Sequence, residues 1–187
     1  MKFIKASIPD VVVIEPRVFE DERGFFLESY SRKVFADNGV DAEFVQDNHS
    51  LSVQKGVVRG LHFQTPPATQ AKLLRVTAGA VWDVVVDLRS GSPTYGQWEG
   101  FELTATDKRM IFVPRGFAHG FCTLAPNTEV IYKVDNLYSK EHDGGVRWDD
   151  PDLGISWPID EPILSAKDRA LPLLADFSSP FQLHPTA

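Results

Sequence analysis

The chain has 187 residues, 43% of them hydrophobic and 24% charged, the balance of a globular protein rather than a disordered one. Its formal net charge of -7 excludes a general nucleic-acid binder, so an anionic ligand has to be held by a local cluster of cations. The one cysteine, Cys122, excludes an intramolecular disulfide and fits a reducing compartment.

In chain order, the opening MKFIKASIPD lacks the apolar stretch of a signal peptide. No apolar run reaches the roughly 20 residues that span a bilayer. The expectation is a soluble, cytoplasmic protein with no membrane partner. VVVIEPRVF and GFFLESY read as strands, and a short helix follows, with Ser31 as N-cap, Val34 and Phe35 facing inward and Gly39 ending it in a left-handed conformation. AEFVQDNHSLSV, VVRGLHF, KLLRVTAG, AVWDVVVDL, WEGFEL, RMIFVP, HGFCTL and TEVIYKV continue as strands, rich in β-branched and aromatic residues and separated by Gly, Pro, Asn or Asp. After Pro151 the text is proline-rich and irregular, with a short helical look in LSAKDRALPLL that Ser165 can cap. The fold expected is all-β: an antiparallel sandwich or barrel, of which a jelly roll is one solution, with a few short helices, forming a single domain over residues 1–187.

VVRGLHFQTPPATQAKLLRV collects Arg59, His62, Lys72 and Arg75 along strands that should fill a core. Regular alternation sends Arg59, Leu61 and Phe63 to one face and Val58, Gly60, His62 and Gln64 to the other. Taken alone, His62 reads best as a satisfied core histidine. If Arg59 and His62 both face a cavity, Gly60 gives the strand freedom to bulge there. FVPRGFAHGFCT contains P-x-G-x-x-H, ending at His119, a form that resembles the second motif of the cupin jelly rolls. Tyr132 alternates with Val130 and Val134 and reads equally as a core tyrosine. Lys167 and Asp168 look by default like surface charges. The usual first cupin motif has a second histidine where this chain has Gln64. An amide is a poor substitute for imidazole at zinc or iron, so no catalytic metal is expected, and two inward histidines then suggest acid–base work.

Together, DERGFFLE, FVQDNHSLS, GVVRGLHFQ, AKLLRV, VWDVVVDLR, SPTYGQW, IFVPRGFAHGF, YKVDNLYS and LSAKD resemble, in this order, the dTDP-4-dehydrorhamnose 3,5-epimerases. The resemblance runs from about residue 8 to about residue 174. It implies a cofactor-free reaction on dTDP-4-dehydro-6-deoxy-glucose. The C4 ketone acidifies the hydrogens on C3 and C5; a base removes one, an enolate forms, and an acid returns a proton to the opposite face.

On that resemblance His62 is the base, Asp168 orients it through the other ring nitrogen, Lys72 stabilises the enolate oxygen and Tyr132 is the acid. Arg23 reaches the diphosphate, often across a dimer interface, and Arg59 holds a phosphate. Glu28, Gln46, Asp47 and Asn48 contact the nucleotide or order the site, and His119 bonds the sugar. Phe26, with Phe19, stacks on thymine or belongs to the core; Tyr138 sits beside the site with the same ambiguity. Lys167 resembles the family lysine preceding the catalytic aspartate. Asp143 stands where the family often has glutamate. The implied assembly is a homodimer with a shared site. The alternatives are a 3- or 5-monoepimerase on a related dTDP-keto-sugar, a metal cupin, and a non-catalytic sugar-binding jelly roll. The tail PFQLHPTA, with His184, lies outside the resemblance and receives no role.

Overall fold

The computed structural model describes residues 1–183; His184 lies outside the described residues. The strands are β1 (Lys2–Lys5), β2 (Val12–Glu15), β3 (Val18–Asp21), β4 (Gly24–Leu27), β5 (Gln46–Ser52), β6 (Val58–Gln64), β7 (Lys72–Ala78), β8 (Ala80–Asp87), β9 (Trp98–Thr104), β10 (Met110–Val113), β11 (Phe117–Thr123), β12 (Thr128–Val134) and β13 (Asp143–Gly145). Two short helices, α1 (Arg32–Asp37) and α2 (Ala166–Arg169), accompany them.

A six-stranded sheet runs β1-β2-β10-β7-β12-β5, and a five-stranded sheet runs β13-β6-β11-β8-β9. Strand pairing in both is antiparallel. This is the antiparallel sandwich expected from many short strands with close turn signals, in the jelly-roll form that the family resemblance implied. Period-two alternation gives each sheet an inner face, and Leu74, Val76 and Val130 of one meet Val81, Val85 and Phe121 of the other in a common core. The outer face of the five-stranded sheet is covered by the C-terminal segment through Val146, Leu153 and Phe181. The outer face of the six-stranded sheet is covered by Phe35, Val40 and Ala42 on and after α1.

Several local details depart from simple alternation. Pro16 lies between β2 and β3 and divides VVVIEPRVF, because proline has no N–H for a ladder. KFIK, which carries no strand expectation, pairs along β2 as an edge strand. Ser31 is the N-cap of α1 by position, yet its side chain makes no capping bond. Gly39 does end that helix at φ +86, where glycine is favoured.

The departure that matters most is in β6. His62 pairs with His119, and Arg59 pairs with Phe121, so two residues of β6 stand opposite one of β11. This is a β-bulge at Gly60–Leu61. It overturns the alternation expected for this strand: Arg59 and His62, three apart, share the inner face, and Leu61 joins the outer core instead. Gly60 sits at φ +123, and a Cβ there would lie 2.5 Å from the Cα of Gly120. No helix among the described residues is long and apolar enough to cross a membrane.

Candidate active site

At one end of the inter-sheet space the core gives way to a cavity of about 530 Å³, with Leu74 and Phe121 belonging to both. A second hollow of about 270 Å³ shares His62, Lys72, Tyr132 and Lys167 with it. The two are therefore lobes of one cleft, and those four side chains stand at their junction.

His62 projects inward from β6, and its Nε2 lies 2.5 Å from Oδ1 of Asp168. Asp168 is 3% exposed, so it is not the surface charge that its position on a short polar helix suggested. Ser165 makes this possible. Its hydroxyl accepts from the Asp168 backbone N–H, capping α2, and donates to Asp168 Oδ2 at 2.8 Å. The preceding segment is strapped to the barrel by Val58 N–H to Ile163 O and Ile163 N–H to Gly56 O. Burial pushes the Asp168 carboxyl up, but hydrogen bonds from His62 and Ser165 and the nearby charges outweigh it and hold the group below the usual carboxylate range. With Nε2 committed to Asp168, Nδ1 is the ring nitrogen left for chemistry.

Lys72 enters at the start of β7, and its Nζ donates to the His62 carbonyl at 3.2 Å. Burial lowers its pKa to about 8, opposed by the charges of Asp83 and Asp143 and reinforced by Lys167. Tyr132 comes from β12. Burial pushes its phenol up, partly offset by Arg59 and reinforced by Asp143, which keeps it protonated. Its hydroxyl makes no hydrogen bond among the described residues and is not sealed from solvent, so it can serve a ligand. Arg59 lies at the mouth, held by Ser52 Oγ and the Leu51 carbonyl, both at 3.2 Å.

His119, on β11, gives its Nε2 to Asp83 Oδ2 at 2.9 Å. Asp83 was not anticipated as a site residue, although one signal was readable: it is a charge inside the apolar run VWDVVV.

The second lobe gathers Gln46, Asn48, Tyr138 and Asp143. Gln46 Nε2 donates to Asn48 Oδ1 at 2.8 Å, and Gln46 Oε1 accepts from Tyr138 N–H at 3.2 Å. Asp143 Oδ2 accepts from Lys167 Nζ and, at 3.2 Å, from the Tyr138 hydroxyl. Gln64 holds this lobe together. Its Nε2 donates to the Ala68 and Leu137 carbonyls, and its Oε1 accepts from Ser139 N–H at 2.7 Å.

Four expected residues are not brought to the cleft of their own chain. Arg23, Phe26 and Glu28 lie on or just beyond the β3–β4 hairpin, exposed, with Arg23 paired to Asp21. Asp47 alternates to the outer face of β5 and pairs there with Lys133 at 2.8 Å; this corrects its placement beside Gln46 and Asn48, which the period of two makes impossible within a regular strand. Phe19 packs near Phe26 with ring centroids 6.5 Å apart, on the exposed hairpin rather than in the core. Arg75 is on the outer face as well, away from the cleft.

Gln64, which stands where the usual first cupin motif has a second histidine, has its amide spent on backbone groups, so it is not free to act as a metal ligand. Among the described residues no three His, Cys, Asp or Glu side chains converge on a metal-sized point. The arrangement instead combines an imidazole oriented by a carboxylate, a protonated phenol and an ammonium around one space. That set can move a proton off carbon, hold the resulting oxyanion and return a proton.

The family described as dTDP-4-dehydrorhamnose 3,5-epimerase matches residues 5–176. A dTDP-4-dehydrorhamnose 3,5-epimerase from Shigella flexneri is 53% identical, over 90% of this chain and 93% of its own. The crystal structure of the Bacillus anthracis 3,5-epimerase, with TDP and PPi bound, is 55% identical and superposes with a TM-score of 0.91, covering 92% of this chain and 99% of that one. The Legionella pneumophila epimerase in complex with dTDP-4-keto-L-rhamnose is 43% identical, with a TM-score of 0.93 and 98% of both chains covered. With the motifs, the jelly roll and the cleft in agreement, the chain belongs to the dTDP-4-dehydrorhamnose 3,5-epimerase family.

Proposed function

We propose that this chain converts dTDP-4-dehydro-6-deoxy-D-glucose into dTDP-4-dehydro-L-rhamnose by inverting C3 and C5 in turn. The observation that carries the reading is the meeting of His62, Lys72 and Tyr132 at the junction of the two lobes. His62 Nδ1 takes the proton from carbon. Asp168 fixes the ring and stabilises the imidazolium that forms, as the aspartate of a hydrolase triad does. The electron pair moves onto the C4 oxygen, where the Lys72 ammonium meets it; loss of one such donor costs about 3–4 kcal/mol in known cases. Tyr132 returns a proton from the other side of the ring. Separate acid and base faces are what permit inversion, because a single base tends to return the proton where it found it. His119 and Lys167 hold the sugar, Arg59 holds a phosphate, and Gln46, Asn48, Tyr138 and Asp143 contact the nucleotide or order the site.

The active form is a homodimer, and the β3–β4 hairpin supports it. Among the described residues the strands of this hairpin pair only with each other, and its Phe19, Phe25 and Phe26 are 49%, 61% and 67% exposed. Exposed aromatic rings on such a hairpin suit a partner surface, and the hairpin would carry Arg23, Phe26 and Glu28 to the neighbour's cleft. Residues 1–187 act as one catalytic unit in the cytoplasm, without nucleic acid or membrane. The decisive test is turnover of the dTDP-linked 4-keto-6-deoxy sugar in deuterated water, read by proton NMR. Deuterium at both C3 and C5 of the product supports the double epimerase; deuterium at one carbon would make the chain a monoepimerase.

A further inference from the structure

His62 and His119 are register partners on β6 and β11, and each is tethered through Nε2 to a buried carboxylate. The Asp168 tether has an obvious use in the reaction proposed above; the Asp83 tether does not. We propose that Asp83 is a positioning residue for the epimerisation. By accepting from His119 Nε2 it fixes the imidazole in the tautomer whose bare Nδ1 faces the cleft, ready to accept a hydrogen bond from a hydroxyl of the sugar. This inference rests on the epimerase reading.

Asp83 is fully buried, on the inner face of β8 between Val81 and Val85. Its Oδ1 is buried with no hydrogen-bond partner. A carboxylate in such a place is costly, and a well-packed apolar pair in place of Asp83 and His119 together would hold the fold about as well. Stability therefore does not explain its presence, whereas its hold on His119 does. A carboxylate only accepts, so the 2.9 Å contact puts the proton on Nε2. Nδ1 makes no hydrogen bond among the described residues and is not sealed from solvent, which leaves it open to the cavity that His119 lines. The Asp83 charge also supports the Lys72 ammonium against burial, so one carboxylate serves two groups that face the sugar.

Asparagine at 83 keeps the volume but presents an amide that donates as well as accepts, so the tautomer is no longer dictated. The same substitution in a hydrolase triad acts in this way. The test is ¹⁵N NMR of ligand-free protein at a pH where the imidazoles are neutral, with His119→Asn assigning the resonance, alongside kinetics of Asp83→Asn and Asp83→Glu. The expected wild-type signature is a protonated Nε2 and a bare Nδ1. In Asp83→Asn the two tautomers should mix and kcat should fall roughly 10–100-fold while KM changes less than about threefold. Asp83→Glu, which keeps the acceptor, should recover part of the rate. A proton on Nδ1 in the wild type overturns the proposal, as does an Asp83→Asn protein with either its tautomer or its kcat unchanged. Should that variant not fold, the wild-type spectrum decides. Wild-type protein inert toward the keto-sugar would sink the epimerase reading, while the tautomer measurement, needing no sugar, would still report on Asp83.

Discussion

His62 and Asp168 stand 106 positions apart in the chain, yet Nε2 of one lies 2.5 Å from Oδ1 of the other. The contact depends on a capped four-residue helix, α2, placed by a segment bridged to β6. Removing the charge while keeping the shape isolates what it contributes. Asp168→Asn should lower kcat by roughly 10²–10⁴-fold, the range for losing control of a catalytic tautomer, with intact far-UV circular dichroism. Ser165→Ala, which removes the cap and one bond to the carboxylate, should cost about 1 kcal/mol in denaturant unfolding.

Tyr132 supplies a sharper test, because its loss should separate proton removal from inversion. Tyr132→Phe keeps the ring and loses the proton. Epimerised product should fall at least about 10²-fold, while His62 continues to exchange substrate hydrogens with deuterated water from its own face. Mass spectrometry would then find labelled substrate of unchanged configuration. No exchange at all would mean that the phenol is needed before the carbanion forms.

Lys72 links pH to both rate and stability. With a pKa of about 8, its ammonium is present below pH 8 and lost above it, so kcat should decline on the alkaline side of pH 8. That limb should vanish in Lys72→Met, whose residual rate should be roughly 10²–10³-fold lower. The stability sign is opposite. Burial depresses this lysine from 10.5, so below pH 8 the fold bears a penalty of about 3 kcal/mol, relieved as pH rises toward 10.5. Lys72→Met should therefore raise the melting temperature at pH 7 while abolishing useful turnover.

Gly60 is a backbone requirement. Gly60→Ala places a methyl 2.5 Å from Gly120 Cα at φ +123. The strain and overpacking should cost about 3 kcal/mol or more, several degrees in melting temperature.

The hairpin predicts assembly. Phe25→Asp with Phe26→Asp should yield a monomer by analytical ultracentrifugation. If Arg23 acts on the neighbour's cleft, Arg23→Ala should leave the dimer intact and raise KM by about 10-fold, as loss of a phosphate-binding guanidinium does. Full activity in a monomer would contradict the shared site.

Much of this was legible in the chain. Strand-like runs and turn residues were enough for an antiparallel sandwich or barrel, the family resemblance narrowed it to a jelly roll, and His62, Tyr132, Lys72, His119 and Arg59 do converge on one cleft. What was not legible has physical causes. From its own residues Asp168 looks exposed on a polar helix; only the family resemblance pointed it at His62, where His62 and Ser165 satisfy it. Asp47 sits between two cleft residues in sequence, but a pleated strand turns it outward. Gln64 was readable only as a missing histidine, since its three backbone partners lie in loops brought together by the fold. Asp83 showed as an oddity in an apolar run, but its partner is on another strand.

The extra residue in β6 has an evolutionary corollary. Removing one residue between Arg59 and His62 would restore even spacing across β11 and turn one of the two away from the sugar. No single substitution reproduces or repairs that shift, only a change in length. If Arg59 and His62 have the proposed roles, phosphate anchor and proton acceptor therefore stand or fall together with the length of this strand.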